Sequence, residues 1–273
     1  MYLTYWRLAS RPFDNQLRPG FYYPGETHQA TRLKLRYAVE NRRGGALLAG
    51  AAGLGKTLLV DQLRQDLSER YQPIVHVRFP QLTPHELVAL LAYELSGQDP
   101  ADTTDENIRR IEHALANNAE QDHHAVVVID EAHLLRESDA LETVRLLLNY
   151  ERLATLLLVG QPAILPALER MPALEERLSV KCLLRRFALE ETVSYVHHRL
   201  LAAGAADVQR VFQPAAVEAI HQLAEGNPRR INRLCDLALL MGFADECQRI
   251  DAALIEAVAV EIATAAPPLR QAA

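Results

Sequence analysis

One octapeptide constrains this chain more than any other stretch: Gly50-Ala51-Ala52-Gly53-Leu54-Gly55-Lys56-Thr57, the pattern G-x-x-x-x-G-K-T. The apolar run 45–49 leads directly into it, and residues 56–68 carry apolar side chains at helical spacing (Leu58, Leu59, Leu63, Leu67). A buried strand, a tight glycine turn and a helix, in that order, aim the loop's N–H groups into a concavity that suits a polyphosphate. Lys56 would set its ammonium between the β- and γ-phosphates, and the Thr57 hydroxyl would ligate Mg²⁺. The chain has only three lysines, and one of them stands at this position. The pattern implies a bound nucleoside triphosphate.

The elements around the loop follow a regular alternation. Residues 27–41 read as a helix, 73–79 as a strand and 84–96 as a helix with Thr83 as its N-cap. Residues 97–104 are a polar break, followed by a helix over 106–118. The near-continuous Val/Ile run 125–129 reads as a strand buried on both faces. A helix over 139–152, a strand over 155–159 and a fifth strand over 180–184 complete the series. Strands alternating with helices imply a parallel sheet with right-handed crossovers. Beyond Phe187 only helical patterns remain, over 190–203, 214–225, 228–243 and 251–264. The expected organisation is an α/β core with an N-terminal extension over 1–187, a small all-helical domain over 188–264 and an Ala/Pro-rich tail over 265–273.

Composition narrows the setting. No apolar run approaches the roughly 18 residues of a membrane span, and the first residues lack the pattern of a signal peptide. Cys182, Cys235 and Cys247 are too widely spaced for a disulfide framework or a zinc site. A cytoplasmic address is the resulting expectation. The net charge of −6 conceals an asymmetry: residues 1–43 hold eight basic and three acidic residues, a balance of +5, against −11 for the remainder. Such a basic segment can meet phosphates, those of a nucleotide or of nucleic acid, or it can be a solvated face.

Four apolar residues followed by Asp130-Glu131 form the Walker-B arrangement, with the first acid near the Mg²⁺ and the second polarising the attacking water. Asp130-Glu131-Ala132-His133 also spells DEAH, but a helicase of that class needs two RecA-like domains, and no second set of strands follows residue 187. His133 is read instead as a local structural or coupling residue. Gln161, just beyond the strand 155–159, stands where a polar group can orient water. Arg177 precedes the fifth strand and could act on a neighbouring subunit's nucleotide, with Arg170, Arg185 and Arg186 as rivals for that role. Gly226-Asn227-Pro228-Arg229 opens a helix with proline in the first turn.

Together these motifs resemble the AAA+ ATPases, and more narrowly the ExeA-like (general secretion pathway protein A) group. The narrower resemblance rests on Met1-Tyr2-Leu3, Trp6-Arg7-Leu8, Arg11-Pro12-Phe13, Leu157-Leu158-Val159-Gly160-Gln161-Pro162 and the run Gly226-Asn227-Pro228-Arg229-Arg230-Ile231-Asn232-Arg233-Leu234-Cys235-Asp236. It extends from residue 1 to about 264. It implies a parallel core sheet in the order 5-1-4-3-2 with a helical lid, and ATP and Mg²⁺ as cofactors. The implied nucleotide contacts are Gly50, Ala51, Ala52, Gly53, Leu54, Gly55, Lys56, Thr57 and Leu58, with Thr57 and Asp130 on the metal. Glu131 is the implied base, Gln161 the first sensor, Arg177 the trans-acting finger and Arg229 the second sensor. The aromatic segment 21–24 would lie near the adenine. Secretion members of the group continue into a membrane span and a peptidoglycan-binding domain, so the resemblance carries over the ATPase part and no direct cell-wall role.

Two functional expectations follow. The first is an ATP-driven assembly switch, a homo-oligomer in its ATP state, that remodels a protein partner on the cytoplasmic side of an envelope machine such as a secretion, pilus or exopolysaccharide system. The acidic helical domain, eleven carboxylates against six arginines over 189–264, accords with a protein partner. The second is a DNA-transposition helper ATPase that binds duplex DNA in its ATP state, motivated by the basic N-terminal segment. A scaffold that binds nucleotide without turnover is a third.

Overall fold

The computed structural model describes residues 1–14, 20–135 and 138–264. Arg18 and the expected tail over 265–273 lie outside the described residues. In chain order the elements are α1 (Tyr2–Tyr5), α2 (Glu26–Glu40), β1 (Gly45–Ala49), α3 (Lys56–Asp66), β2 (Ile74–Val77), α4 (Pro84–Ser96) and α5 (Thr104–Glu120). They continue as β3 (Ala125–Ile129), α6 (Ser138–Leu147), β4 (Ala154–Gly160), α7 (Leu165–Glu169), α8 (Pro172–Glu175) and β5 (Leu178–Leu183). Four helices close the series: α9 (Leu189–Ala202), α10 (Pro214–Ala224), α11 (Pro228–Ala244) and α12 (Ala252–Thr264). Internal packing divides the chain into an α/β unit, Glu26–Ala52 with Lys56–Arg185, and a helical unit made of Met1–Gly25, Gly53–Gly55 and the residues from 186 onward.

In the α/β unit the five strands form one parallel sheet in the order β2-β3-β4-β1-β5, which is the expected order 5-1-4-3-2 viewed from the other edge. Every residue of β1 and β3 is buried, as the unbroken apolar runs require of strands covered on both faces. Leu47, Leu91, Ile111 and Leu158 are each essentially inaccessible, and each such side chain stabilises the fold by about 1.5–3 kcal/mol. The edge strand β5 alternates instead, exposing Ser179, Lys181 and Leu183, and a lysine on an edge discourages pairing with another chain. Helix α4 starts in a full capping box: the Thr83 hydroxyl accepts from the Glu86 N–H at 3.3 Å, and the Glu86 carboxylate accepts from the Thr83 N–H at 2.8 Å.

Strand register positions the chemistry. Ile129 is paired with Leu158, and Ala49 with Gly160. The chain therefore leaves β1, β3 and β4 along one rim at Gly50, Asp130 and Gln161. This is the carboxyl rim of a parallel sheet, where ligands of open α/β folds bind.

The helical unit corrects one expectation. Residues 1–14 and 20–25, read from sequence as part of an extension of the α/β core, pack within the helical unit instead. Their apolar side chains explain why. Trp6, Leu8, Phe13 and Phe21 are buried in one core with Tyr195, Leu200, Phe212, Ile220, Leu234 and Leu239. The Trp6 indole N–H donates to the Leu239 carbonyl at 2.8 Å, and a Cβ at Gly242 would stand 3.0 Å from the Trp6 ring. The buried Arg199 guanidinium donates to the carbonyls of Pro12 and Asp14 and lies 5.2 Å from the centroid of the Phe21 ring.

Candidate nucleotide-binding site

The α/β unit brings together most of the residues singled out by sequence. Lys56 opens α3 with its side chain buried, and its ammonium donates to the carbonyls of Gly50 at 2.9 Å and Ala51 at 3.2 Å. Next to it the Thr57 hydroxyl donates to Asp130 Oδ2 at 2.9 Å. The other Asp130 oxygen accepts from the Glu131 N–H at 2.8 Å. Burial raises the Asp130 pKa, but His76, the Glu131 N–H and the Thr57 hydroxyl together outweigh it and leave the group below the ordinary carboxylate value. Asp130 is thus a buried carboxylate held ionised.

This donor set fits Mg²⁺ of a nucleotide. Thr57 and Asp130 supply hard oxygens within one coordination sphere's reach, and no group of three or more His, Cys, Asp or Glu that could cage a metal occurs among the described residues. Mg²⁺ characteristically takes one or two protein oxygens and completes its shell with water and phosphate.

Glu131 follows with φ 50° and ψ 33°, a left-handed conformation unusual for a residue other than glycine. That twist sends the chain into a 3₁₀ turn, Ala132–Leu134, and carries His133 back toward β4. His133 Nδ1 lies 3.2 Å from Glu131 Oε2, and its Nε2 lies 3.0 Å from Gln161 Nε2. Gln161 is therefore linked to Glu131 through a residue whose place depends on the register of β3 against β4. His76 of β2, unlike His133, was not singled out by sequence; its Nε2 is 3.6 Å from Asp130 Oδ2. Nothing local marks His76, and only the strand order reveals it.

Arg177 belongs to the opposite rim. It directly precedes Leu178, which pairs with Gly45 at the start of β1, and its guanidinium donates to Asn149 Oδ1 at 2.8 Å. Five residues of β1, about 17 Å of strand at roughly 3.3 Å each, separate that level from Gly50. Arg177 is thus too far to serve this chain's own loop. Arg170 is exposed, and Arg186 pairs with Glu225.

In the helical unit, Gly53 and α11 define a second arrangement. Asn227 caps α11, its Oδ1 accepting from the N–H groups of Arg229 at 3.1 Å and Arg230 at 3.3 Å. The Arg229 N–H also lies 3.3 Å from the Gly53 carbonyl. Gly53 has φ +82° and Gly55 φ +87°, so both glycines occupy backbone space that side chains resist. The Arg229 side chain is exposed. Phe21 and Tyr23, expected beside an adenine, contribute rings to the helical core; Tyr23 packs edge-on against Phe187 and Tyr195, each at 5.7 Å.

Residues 39–168 match the family model described as an AAA domain. The chain is similar to General secretion pathway protein A of Aeromonas hydrophila, with 33% identity over 96% of this chain and 48% of that protein. It thus spans about half the length of the curated relative it matches. Among solved structures, the Aeropyrum pernix ORC2 protein in ADPNP–ADP complexes aligns with a TM-score of 0.68 and 18% identity, over 94% of this chain and 72% of that one. Drosophila ORC bound to DNA aligns with a TM-score of 0.69 and 16% identity, over 96% of this chain and 66% of that one. At such identities the structural likeness concerns the fold alone.

Proposed function

We propose that the chain, which matches an AAA domain over residues 39–168 and is similar over 96% of its length to General secretion pathway protein A, binds ATP with Mg²⁺ and hydrolyses it as an oligomeric assembly switch. The observation that carries this reading is the Thr57–Asp130 contact, a hydroxyl and an ionised carboxylate from two separate elements meeting at 2.9 Å beside the loop lysine. Lys56 exchanges its carbonyl partners for phosphate oxygens. Thr57 and Asp130 would hold Mg²⁺, which would neutralise phosphate charge. Glu131 takes the proton of the attacking water, and Gln161 orients that water for in-line attack on the γ-phosphorus, whose bond to the bridging oxygen breaks as ADP leaves with phosphate as the other product. Arg229 and the loop glycines are assigned to the same nucleotide.

Arg177 is assigned to the neighbouring subunit's γ-phosphate, a reading that its distance from its own loop supports. An arginine so used contributes about 10³–10⁵ in rate. The partner is a protein at the cytoplasmic face of an envelope machine, by analogy with the secretion relative. The duplex-DNA alternative has less support. Three arginines of the basic segment are already paired: Arg32 with Asp66 at 3.1 Å, Arg36 with Glu40 at 2.7 Å and Arg42 with Asp122 at 3.5 Å.

The test is ATP turnover per subunit against protein concentration for wild type, Glu131→Gln and Arg177→Ala, with sizing in the presence and absence of ATP. The reading expects a rate that rises with concentration, loss of turnover in both variants and less than additive activity in mixtures of wild type with Arg177→Ala. Concentration-independent turnover with Arg177→Ala unaffected would remove the trans assignment.

A further inference from the structure

We propose that His133 is a positioning residue that sets the carboxylate of Glu131 and the carboxamide of Gln161 relative to each other; the inference rests on the ATPase reading of that site. Three observations converge on it. The ring of His133 is nearly buried, its side chain 10% exposed, while Glu131 beside it is 42% exposed. Its two nitrogens face two different groups: Nδ1 lies 3.2 Å from Glu131 Oε2, and Nε2 lies 3.0 Å from Gln161 Nε2. And β4 ends in a glycine where His133 passes: a Cβ at Gly160 would stand 3.0 Å from the His133 nitrogen and 3.5 Å from Nδ1.

One neutral tautomer satisfies both side-chain contacts. With the proton on Nδ1, that N–H faces Glu131 Oε2 at 3.2 Å in place of accepting from the Gln161 backbone N–H, and Nε2 accepts from the Gln161 amide N–H. The Gln161 carboxamide oxygen, which has no partner among the described residues, is then the end of that side chain left to accept from water. Glu131 keeps its second oxygen for the same water. The other tautomer makes a different pair of bonds. Its bare Nδ1 accepts from the backbone N–H of Gln161, 3.3 Å away, and its Nε2–H turns the carboxamide oxygen toward the ring. That state releases Glu131 and withdraws the Gln161 acceptor together. The two proposed water-handling groups, on the tips of adjacent strands, are thereby oriented as one.

A positioning role predicts a specific kinetic pattern. His133→Phe retains a ring of similar shape and removes both nitrogens. In the full-length chain with Mg²⁺ and ATP, kcat should fall about 10- to 100-fold, the scale of a misplaced reacting group. KM and the affinity for a non-hydrolysable ATP analogue should stay within about threefold. His133→Gln, whose amide can still meet Gln161, should recover part of kcat. The double variant His133→Phe/Gln161→Ala should be no slower than Gln161→Ala alone, because the two act as a unit. The inference is overturned if His133→Phe keeps wild-type kcat, if the two losses multiply, or if melting temperature and analogue affinity fall in step with turnover. Wild type that binds ATP but never turns it over at any concentration would instead remove the ATPase reading, and the inference with it.

Discussion

A Cβ on Gly53 would stand 2.7 Å from Asn227 Oδ1 and 2.8 Å from the Arg229 Cβ. The loop glycine and the cap of α11 therefore require each other. Gly53→Ala should destabilise the chain by about 1–3 kcal/mol from its left-handed backbone alone, with the clash in addition. Chemical denaturation would read the stability loss, and titration with an ATP analogue should show weakened binding. Gly97, equally left-handed but with nothing near its Cβ, is the control: Gly97→Ala should cost only its backbone strain.

Metal dependence should trace to the Thr57 hydroxyl. Thr57→Val keeps the shape of the side chain and removes the oxygen. Wild type should bind ATP at least about tenfold more tightly with Mg²⁺ than with a chelator, a modest share of what a metal supplies at phosphate oxygens. In Thr57→Val that ratio should shrink toward one. An unchanged ratio would take Thr57 out of the metal site.

Acid sensitivity should come partly from His124. It is fully buried, its Nε2 2.9 Å from Thr155 Oγ1, and burial, with Arg42 adding to it, pulls its pKa from 6.5 down to about 4. Between those values the unfolded chain takes up a proton that the folded chain refuses. Stability should therefore decline as pH falls from about 6.5 toward about 4, and stop declining on this account below that. His124→Gln should flatten this part of the profile, as followed by urea denaturation at a series of pH values.

Trp6 anchors the first residues to the helical core. Trp6→Ala should cost about 3–5 kcal/mol, and Gly242→Ala, which crowds the same ring, about 1–3 kcal/mol. Both losses should appear in the melting of the helical unit.

Local pattern made much of this legible. β1 and β3 stand where their unbroken apolar runs placed them, and Thr83 caps α4 as expected. The five-stranded parallel sheet follows from the alternation of elements, and its order agrees with the family resemblance. What local pattern could not carry is partnership across long separations. Trp6, Phe13 and Phe21 announce burial without saying against what, and their partners lie more than 150 positions away, from Phe187 onward. The short helices α7 and α8 are too brief to show a period. His76 meets Asp130, and His133 meets Gln161, only through strand order and register, since neither pair is close in sequence.

The bond from Trp6 to Leu239 spans 233 positions, and its consequence falls on the order of manufacture. A ribosome adding about 5–20 residues per second needs roughly 10–50 s to get from one to the other. The sheet has all its strands once Leu183 is out. Trp6 by then has long been made, its acceptor carbonyl still to come. Apolar side chains made so early are among the last to be housed, and in that interval they must be kept from other company.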